Sequence, residues 1–563
     1  MDVPRSSIKL LKLNTHIIDN NFFIQQFLNL CLTKQFYLHL HPKPFINTNL
    51  KPKSMKTKLL LAGLIMSLIT PSFAQTESLN LEMIYKIKQE GKTHSQIEEY
   101  SFWMTDFLGP RLTASQGKIR ASDWVAEKFE TMGLSNVVVD SVRPFERGGW
   151  DNIKTYAALT APYYVSFASL PKAWTGSTNG LVKGEVVLVD VQSPDDFKKF
   201  EGKLNGKIVI LPSTATYEPT FDALAVRYTD EDLKALSKES AATRQRRNFD
   251  RAAYLKRREF MQKTADFFKD EGVAVILNNS GEFNVPRASG ANYKIGSELP
   301  TPELNLPIED HGRILRLLAH KVPVEMEIDI QNEFIPNNKV VNVMGEIPGT
   351  DKKLKDQIVL IGGHLDSWHG GTGAADNASG GIVMMEALRI LKALGVQPKR
   401  TIRIALWGGE EQGLHGSRGY VEKYLRDKET NELKPGFANF DVYFNMDNGT
   451  GKFRGIHLQG NEMIRPIFEQ WMVPFADMGC STINIGSTGS TDHVSFDALG
   501  LPAFQFIQDR IEYGRGYHTV MDTYERLLMD DLKHNAIVVA AFIYQAAMRD
   551  ELLPRKPYIA PEN

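Results

Sequence analysis

Seven side chains able to hold or move charge stand in one kind of position: just past an apolar run, and mostly beside glycine. His364 and Asp366 follow the run 357–362, Glu410 and Glu411 follow 401–407 behind Gly408-Gly409, and Asp447 follows 441–446. His518 comes after the run 503–507, next to Tyr517, and Asp376 closes a glycine-rich loop between the first two runs. Singly, each has an ordinary explanation, as an acid capping a helix or a histidine satisfied by the core. Together they offer imidazole and carboxylate, the donors zinc takes. A carboxylate can also bridge two ions ~3.5–4 Å apart. Three carboxylate ligands and a bridging hydroxide balance two dications, which lets such a pair hold hydroxide near neutral pH.

The elements that must position these groups alternate. Strand-like runs at 357–362, 401–407, 441–446 and 503–507 are separated by helical segments at 381–394, 417–424 and 531–549. That alternation predicts an α/β fold, a mixed and mostly parallel sheet flanked by helices, with its chemistry beyond the carboxyl ends of the strands. Upstream, 121–132 has helical periodicity and ends at Gly133, a helix stop. The texture changes from about Pro162 and shifts again near Asn337. Short β-rich pieces at 184–191, 207–211 and 273–277 are interrupted by a charged, helix-like stretch at 230–269. Arg244, Arg246 and Arg247 in that stretch read as a solvated helix face in preference to a basic docking patch.

Composition narrows the function classes. With 42% hydrophobic residues the chain can bury a large core, and a net charge of −1 does not suggest a nucleic-acid binder. From Met55 a basic start, an apolar run and the exit Pro71-Ser72-Phe73-Ala74 predict a signal peptide at 55–74. Residues 1–54 are then expected to be an upstream mis-start of the reading frame. The product is expected to be exported, periplasmic or extracellular, with no membrane span. Cys480, the cysteine remaining after the leader, is expected to be buried and inert.

The ordered motifs Leu108-Gly109-Pro110-Arg111, Gly363-His364-Leu365-Asp366, Ala375-Asp376-Asn377, Gly408-Gly409-Glu410-Glu411, Asn445-Met446-Asp447, Thr491-Asp492-His493 and Tyr517-His518 resemble the M28 zinc peptidases, exported aminopeptidases and carboxypeptidase Q-like enzymes among them. The resemblance implies a zinc exopeptidase fold at 75–159 and 334–563, with a protease-associated (PA)-like insert at 160–333. It implies two zinc ions per chain: Asp376 bridging, His364 and Asp447 on one ion, Glu411 and His518 on the other. Glu410 would be the general base, Asp366 would orient the His364 imidazole, and Tyr517 would donate to the tetrahedral oxyanion. A cis peptide between Asp376 and Asn377 is also implied. Adjacent acids diverge by ~100° in a helix and oppose each other in a strand, so Glu410 and Glu411 can divide these tasks.

The implied substrates are peptides cut from a free N-terminus; the alternative is a dipeptidase or carboxypeptidase of the carboxypeptidase Q kind. Arg111, Arg510 and Arg515 are the candidates for holding a substrate carboxylate. Asp492 and His493 are expected to brace a loop, His369 to sit at the pocket rim and His415 to be structural. Relatives often form homodimers. A metal-free binding protein and a single-zinc glutaminyl-cyclase-like transferase are the competing readings, and both fit the full ligand set poorly.

Overall fold

The computed structural model describes residues 77–239, 250–511 and 513–560. The expected extension 1–54, the signal peptide 55–74 and Arg244, Arg246 and Arg247 lie outside the described residues.

Eight strands make the central sheet: β1 (Ser135–Pro144), β2 (Lys339–Ile347), β3 (Ile358–His364), β4 (Thr401–Trp407), β5 (Phe440–Asn445), β6 (Phe453–His457), β7 (Thr482–Asn484) and β8 (Ala503–Gln508). Their order across the sheet is β1-β2-β4-β3-β5-β8-β6-β7. The middle four, β4, β3, β5 and β8, are parallel neighbours, whereas β1–β2, β2–β4 and β6–β8 pair antiparallel. A sheet covered on both faces wants apolar side chains in both directions. β3 satisfies this residue by residue. Val359 and Ile361 enter one core with Ile382 and Phe542, and Leu360 enters the opposite core with Trp407 and Tyr443.

Helices α1 (Leu81–Thr93), α2 (Gln116–Thr131), α3 (Ser379–Ala393) and α4 (Met529–Met548) supply the first of these cores. α3 and α4 are buried over most of their length, and each large apolar side chain so buried contributes roughly 1.5–3 kcal/mol. The ends are capped locally. Ser115 accepts from the N–H of Lys118 at the start of α2. At its end Gly133 takes φ +73°, which lets Leu134 N–H reach back to the Phe129 carbonyl at 3.0 Å.

A second eight-stranded sheet runs Val165–Ser166, Gly149–Ala161, Glu325–Ile335, Val182–Leu188, Ile208–Ile210, Val275–Asn279, Glu303–Leu306, Leu170–Pro171. It has its own core, including Leu159, Val186, Ile208, Val275, Leu304 and Met326. Its two longest strands, Gly149–Ala161 and Glu325–Ile335, pair antiparallel from Gly149↔Ile335 to Ala161↔Glu325. This sheet therefore spans 149 to 335, and its first strand begins before the change of texture at about 162. The polar stretch Asp151-Asn152 hides the first half of that long strand. Among the described residues no helix is long and apolar enough to cross a membrane. Cys480 is buried, and burial pushes its thiol up to about 12.

Candidate metal centre

His364 is the last residue of β3, Glu410 and Glu411 follow β4, and Asp447 follows β5. Parallel register brings these ends level, with His364 opposite Trp407 and Gly362 opposite Asn445. Asp376 arrives on the turn leading into α3, and the peptide bond between Asp376 and Asn377 is cis. Close approach of that turn to β5 needs Gly380, since a Cβ there would lie 2.3 Å from the Met446 carbonyl oxygen. Asn377 Nδ2 donates to the same oxygen at 2.8 Å. Asp447 is held from the far side, where Gln505 Nε2 on β8 donates to its main-chain oxygen at 2.9 Å.

The side chains converge. His364 Nε2 lies 3.1 Å from Asp376 Oδ1 and 3.4 Å from Asp447 Oδ1. His518 Nε2 lies 3.1 Å from Asp376 Oδ2 and 2.8 Å from Glu411 Oε2. Glu410 Oε2 stands further off, 3.9 Å from His364 Nε2. Close as they are, four of these buried atoms lack an aligned hydrogen bond: Asp376 Oδ2, Glu411 Oε1, Asp447 Oδ1 and His518 Nε2. Buried polar atoms are nearly always paired. Unpaired donors gathered at one place, with Asp376 presenting one oxygen to each imidazole, fit two cations sharing a carboxylate. Ligand atoms of His364, Asp376 and Glu411, and of His364, Glu410 and Asp447, fall within 4.8 Å of one another.

Electrostatics agree with that fit. Burial, reinforced by Asp447, Asp492 and Glu411, holds the Glu410 carboxyl well above its usual range. Burial and Asp376 push Glu411 up to about 8. Burial opposes protonation of His518, yet Asp376 and Glu411 raise it to about 9. Crowded acids this far from water invite positive charge, and a dication reverses such shifts. Beside the cluster lies a cavity of about 290 Å³ lined by Asp376, Glu410, Glu411, Asp447, Tyr513 and Tyr517. Tyr517 stacks on His518 with ring centroids 3.5 Å apart.

Asp366 corrects one expectation. The His364 Nδ1–H donates to the main-chain carbonyl of Asp366 at 2.9 Å, while the Asp366 carboxylate stays 3.9 Å from that nitrogen. The carboxylate instead accepts from the N–H groups of Glu410 (3.2 Å) and Glu411 (3.3 Å) and from Thr113 Oγ1 (3.1 Å). The main chain at Asp366 thus meets the imidazole, and its carboxylate faces the end of the next strand. Arg111 is also reassigned. It is fully buried and bonded to main-chain carbonyls, so it is not open to a substrate carboxylate. Arg510 donates to the Tyr228 hydroxyl, and Arg515 is exposed.

His369 Nε2 meets the Pro171 carbonyl at 2.7 Å, joining its loop to the second sheet. His415 packs its ring 5.6 Å from Phe145. His493 pairs with Thr488 Oγ1, and Asp492 is buried beneath the cluster. Sequence reasoning missed two groups. Arg287, from the second-sheet region, sits over the Tyr517 ring at 4.9 Å, and its neighbour Ala288 donates N–H to the His518 carbonyl. Asp522 accepts from the N–H groups of Ala375 and Asp376. An acid four residues past His518 was its only signal.

Residues 342–543 match the family model Peptidase family M28. That stretch is a peptidase family M28 domain. It is 26% identical over 474 residues to carboxypeptidase Q of Homo sapiens, across 83% of this chain and 88% of that protein. The crystal structure of a peptidase M28 precursor from Shewanella amazonensis SB2B shares its fold with TM-score 0.60 at 24% identity, covering 84% of this chain and 98% of that one. A zinc aminopeptidase from Bacillus subtilis follows with TM-score 0.51 at 20% identity, covering 81% and 96%. The M28 chain described here is thus a hydrolase of the metallo-exopeptidase class with the mixed α/β architecture of those structures.

Proposed function

We propose that this M28 enzyme is a di-zinc exopeptidase that releases N-terminal amino acids from peptides. The observation carrying the reading is the set of four buried, unpaired atoms on Asp376, Glu411, Asp447 and His518. In this reading Asp376 would be shared by both ions, His364 and Asp447 would hold one, and Glu411 and His518 would hold the other. When bound, the zinc pair supplies Lewis acidity that makes a hydroxide nucleophile accessible near neutral pH and polarises the scissile carbonyl.

The protein's own groups do the remainder. Glu410, the acid standing off from the imidazoles, accepts the proton of the attacking water and returns it to the leaving amine. Asp366 fixes where Glu410 starts by gripping its main-chain N–H. Tyr517, on the cavity wall, donates its hydroxyl to the carbonyl oxygen as charge develops there. We further propose that 160–333, within the second-sheet region, is a PA-like insert walling the cleft, and that the protein is exported.

A second reading, cleavage of dipeptides or from the carboxyl end, is favoured by Arg287. A guanidinium over Tyr517 has a planar fork matched to a carboxylate. A blocked-end peptide panel on the zinc-loaded chain separates the two. The aminopeptidase reading expects free and C-amidated dipeptides to be cut and N-acetylated ones refused. Cleavage of N-acetylated but not C-amidated peptides would sink it.

A further inference from the structure

Residues 371–376 form the loop that delivers Asp376, and its polar main chain is shared between two buried charges of opposite sign. Arg111 takes carbonyls: Nη1 donates to Thr372 at 2.6 Å and Nη2 to Gly373 at 2.9 Å. Asp522 takes N–H groups: Ala375 donates to Oδ1 at 2.6 Å and Asp376 to Oδ2 at 3.0 Å. The main-chain oxygen of Asp522 also accepts from Thr372 N at 2.9 Å.

Each charge reaches a second segment of the centre. Arg111 Nε donates to the carbonyl of Leu365, one residue beyond His364, at 2.8 Å. The main chains of Arg111 and Ser367 meet at 3.1 Å. Asp522 closes the turn that begins at Thr519, the residue after His518, its N–H donating to the Thr519 carbonyl at 3.3 Å. Arg111 is 0% exposed and Asp522 3%, so neither is spent on solvent. An ion buried this deeply is costly unless its hydrogen bonds are filled, and here main-chain groups fill them: the loop's for Asp522, and for Arg111 the loop's together with Met104, Gly109 and Leu365.

We propose that Arg111 and Asp522 are positioning residues: together they set the separation of Asp376 from His364 and from His518, and so the affinity of the centre for its metals. The inference rests on reading Asp376 as the shared ligand. It differs from a merely structural role in what it moves. A scaffold contact lowers the melting temperature and leaves metal affinity of the folded protein alone; a positioning contact alters affinity while the fold persists.

The test is zinc competition against a chromophoric chelator on the full chain, with the melting temperature of the metal-free form measured in parallel. Asp522→Asn keeps the shape but turns one acceptor into a donor facing an N–H. Arg111→Lys keeps the charge and loses the fork. Each variant is expected to fold and to bind at least one of two zinc ions 10–100-fold more weakly than wild type, with free zinc restoring turnover at high concentration. If either folds and holds both ions with wild-type affinity, the inference is overturned. If both fail to fold, the pair is structural and the inference is equally overturned. A wild-type chain that takes up no zinc overturns the metal reading itself, an outcome distinct from these.

Discussion

The main-chain N–H of Glu410 donates to Asp366 Oδ1 at 3.2 Å. With Glu411 anchored to the other oxygen of the same carboxylate, the two acids leave from a fixed origin and part. Glu411 goes to His518, and Glu410 stops short of His364. Glu410→Gln keeps the size and the main-chain anchor while removing the proton acceptor. Its kcat is expected to fall by ~10²–10⁴, with zinc content per chain unchanged by elemental analysis. Undiminished turnover would end its assignment as base.

Stripping the metals should cost stability as well as activity. The crowded carboxylates of Asp376, Glu411 and Asp447 then face one another without cations. A ligand bound only by the native state stabilises it by about 2.7 kcal/mol at a hundred times its Kd. A chelator is therefore expected to lower the melting temperature, and zinc to restore it together with turnover. Identical melting curves with and without chelator would contradict the proposed metal site.

Behind the centre, Trp407 Nε1 donates to the Tyr443 hydroxyl at 2.7 Å, Tyr443 donates to Asn445 Oδ1, and Asn445 Nδ2 donates to Gln505 Oε1 at 2.7 Å. The chain ends at the Asp447 carbonyl. Tyr443→Phe leaves a buried indole N–H and amide oxygen without partners, at a cost of about 1–3 kcal/mol. Urea unfolding should show it as a lower midpoint with an unchanged slope. A shift under a few tenths of a kcal/mol would mean that these groups find partners elsewhere.

His534, buried on α4 with Nε2 against the Phe453 carbonyl, is pushed down to about 3 by burial and by Lys452 nearby. In the unfolded chain it titrates near 6.5. As pH falls from about 6.5 toward 3 the unfolded state takes up a proton that the folded state refuses, so this contribution is complete above about 6.5 and lost on acidification. His534→Gln removes it. Relative to wild type, the variant should gain roughly 2 kcal/mol between pH 7 and 4.5, read from urea midpoints. Parallel pH profiles for the two proteins would refute the account.

Strands buried on both faces were legible in the sequence: β4 spans 401–407 as read, and β3, β5 and β8 differ from their apolar runs by one or two residues. The long pair Gly149–Ala161 and Glu325–Ile335 was not, because its half-exposed positions carry Asp, Asn, Gln and Glu and break the apolar pattern. In the centre, His364, Asp376, Glu411, Asp447 and His518 announce themselves by side-chain type after a strand. Asp522 and Arg111 act on main-chain N–H and C=O groups, which every residue possesses and no pattern marks. Asp366 was picked out, but its partner was not, since side-chain type and spacing do not tell whether its carboxylate or its carbonyl meets the imidazole.

Because Gly149 pairs with Ile335, the polypeptide leaves for the second sheet and comes back at one doorway. Residues 148 and 336 could be spliced with a short connector without dragging any strand of the first sheet out of register. The obstacle is a shared wall: Trp150 and Trp174 pack with Leu112, Phe145 and Val340. An excised protein would keep its topology yet bare a greasy face, so a minimal version of this enzyme needs polar replacements at Leu112, Phe145 and Val340.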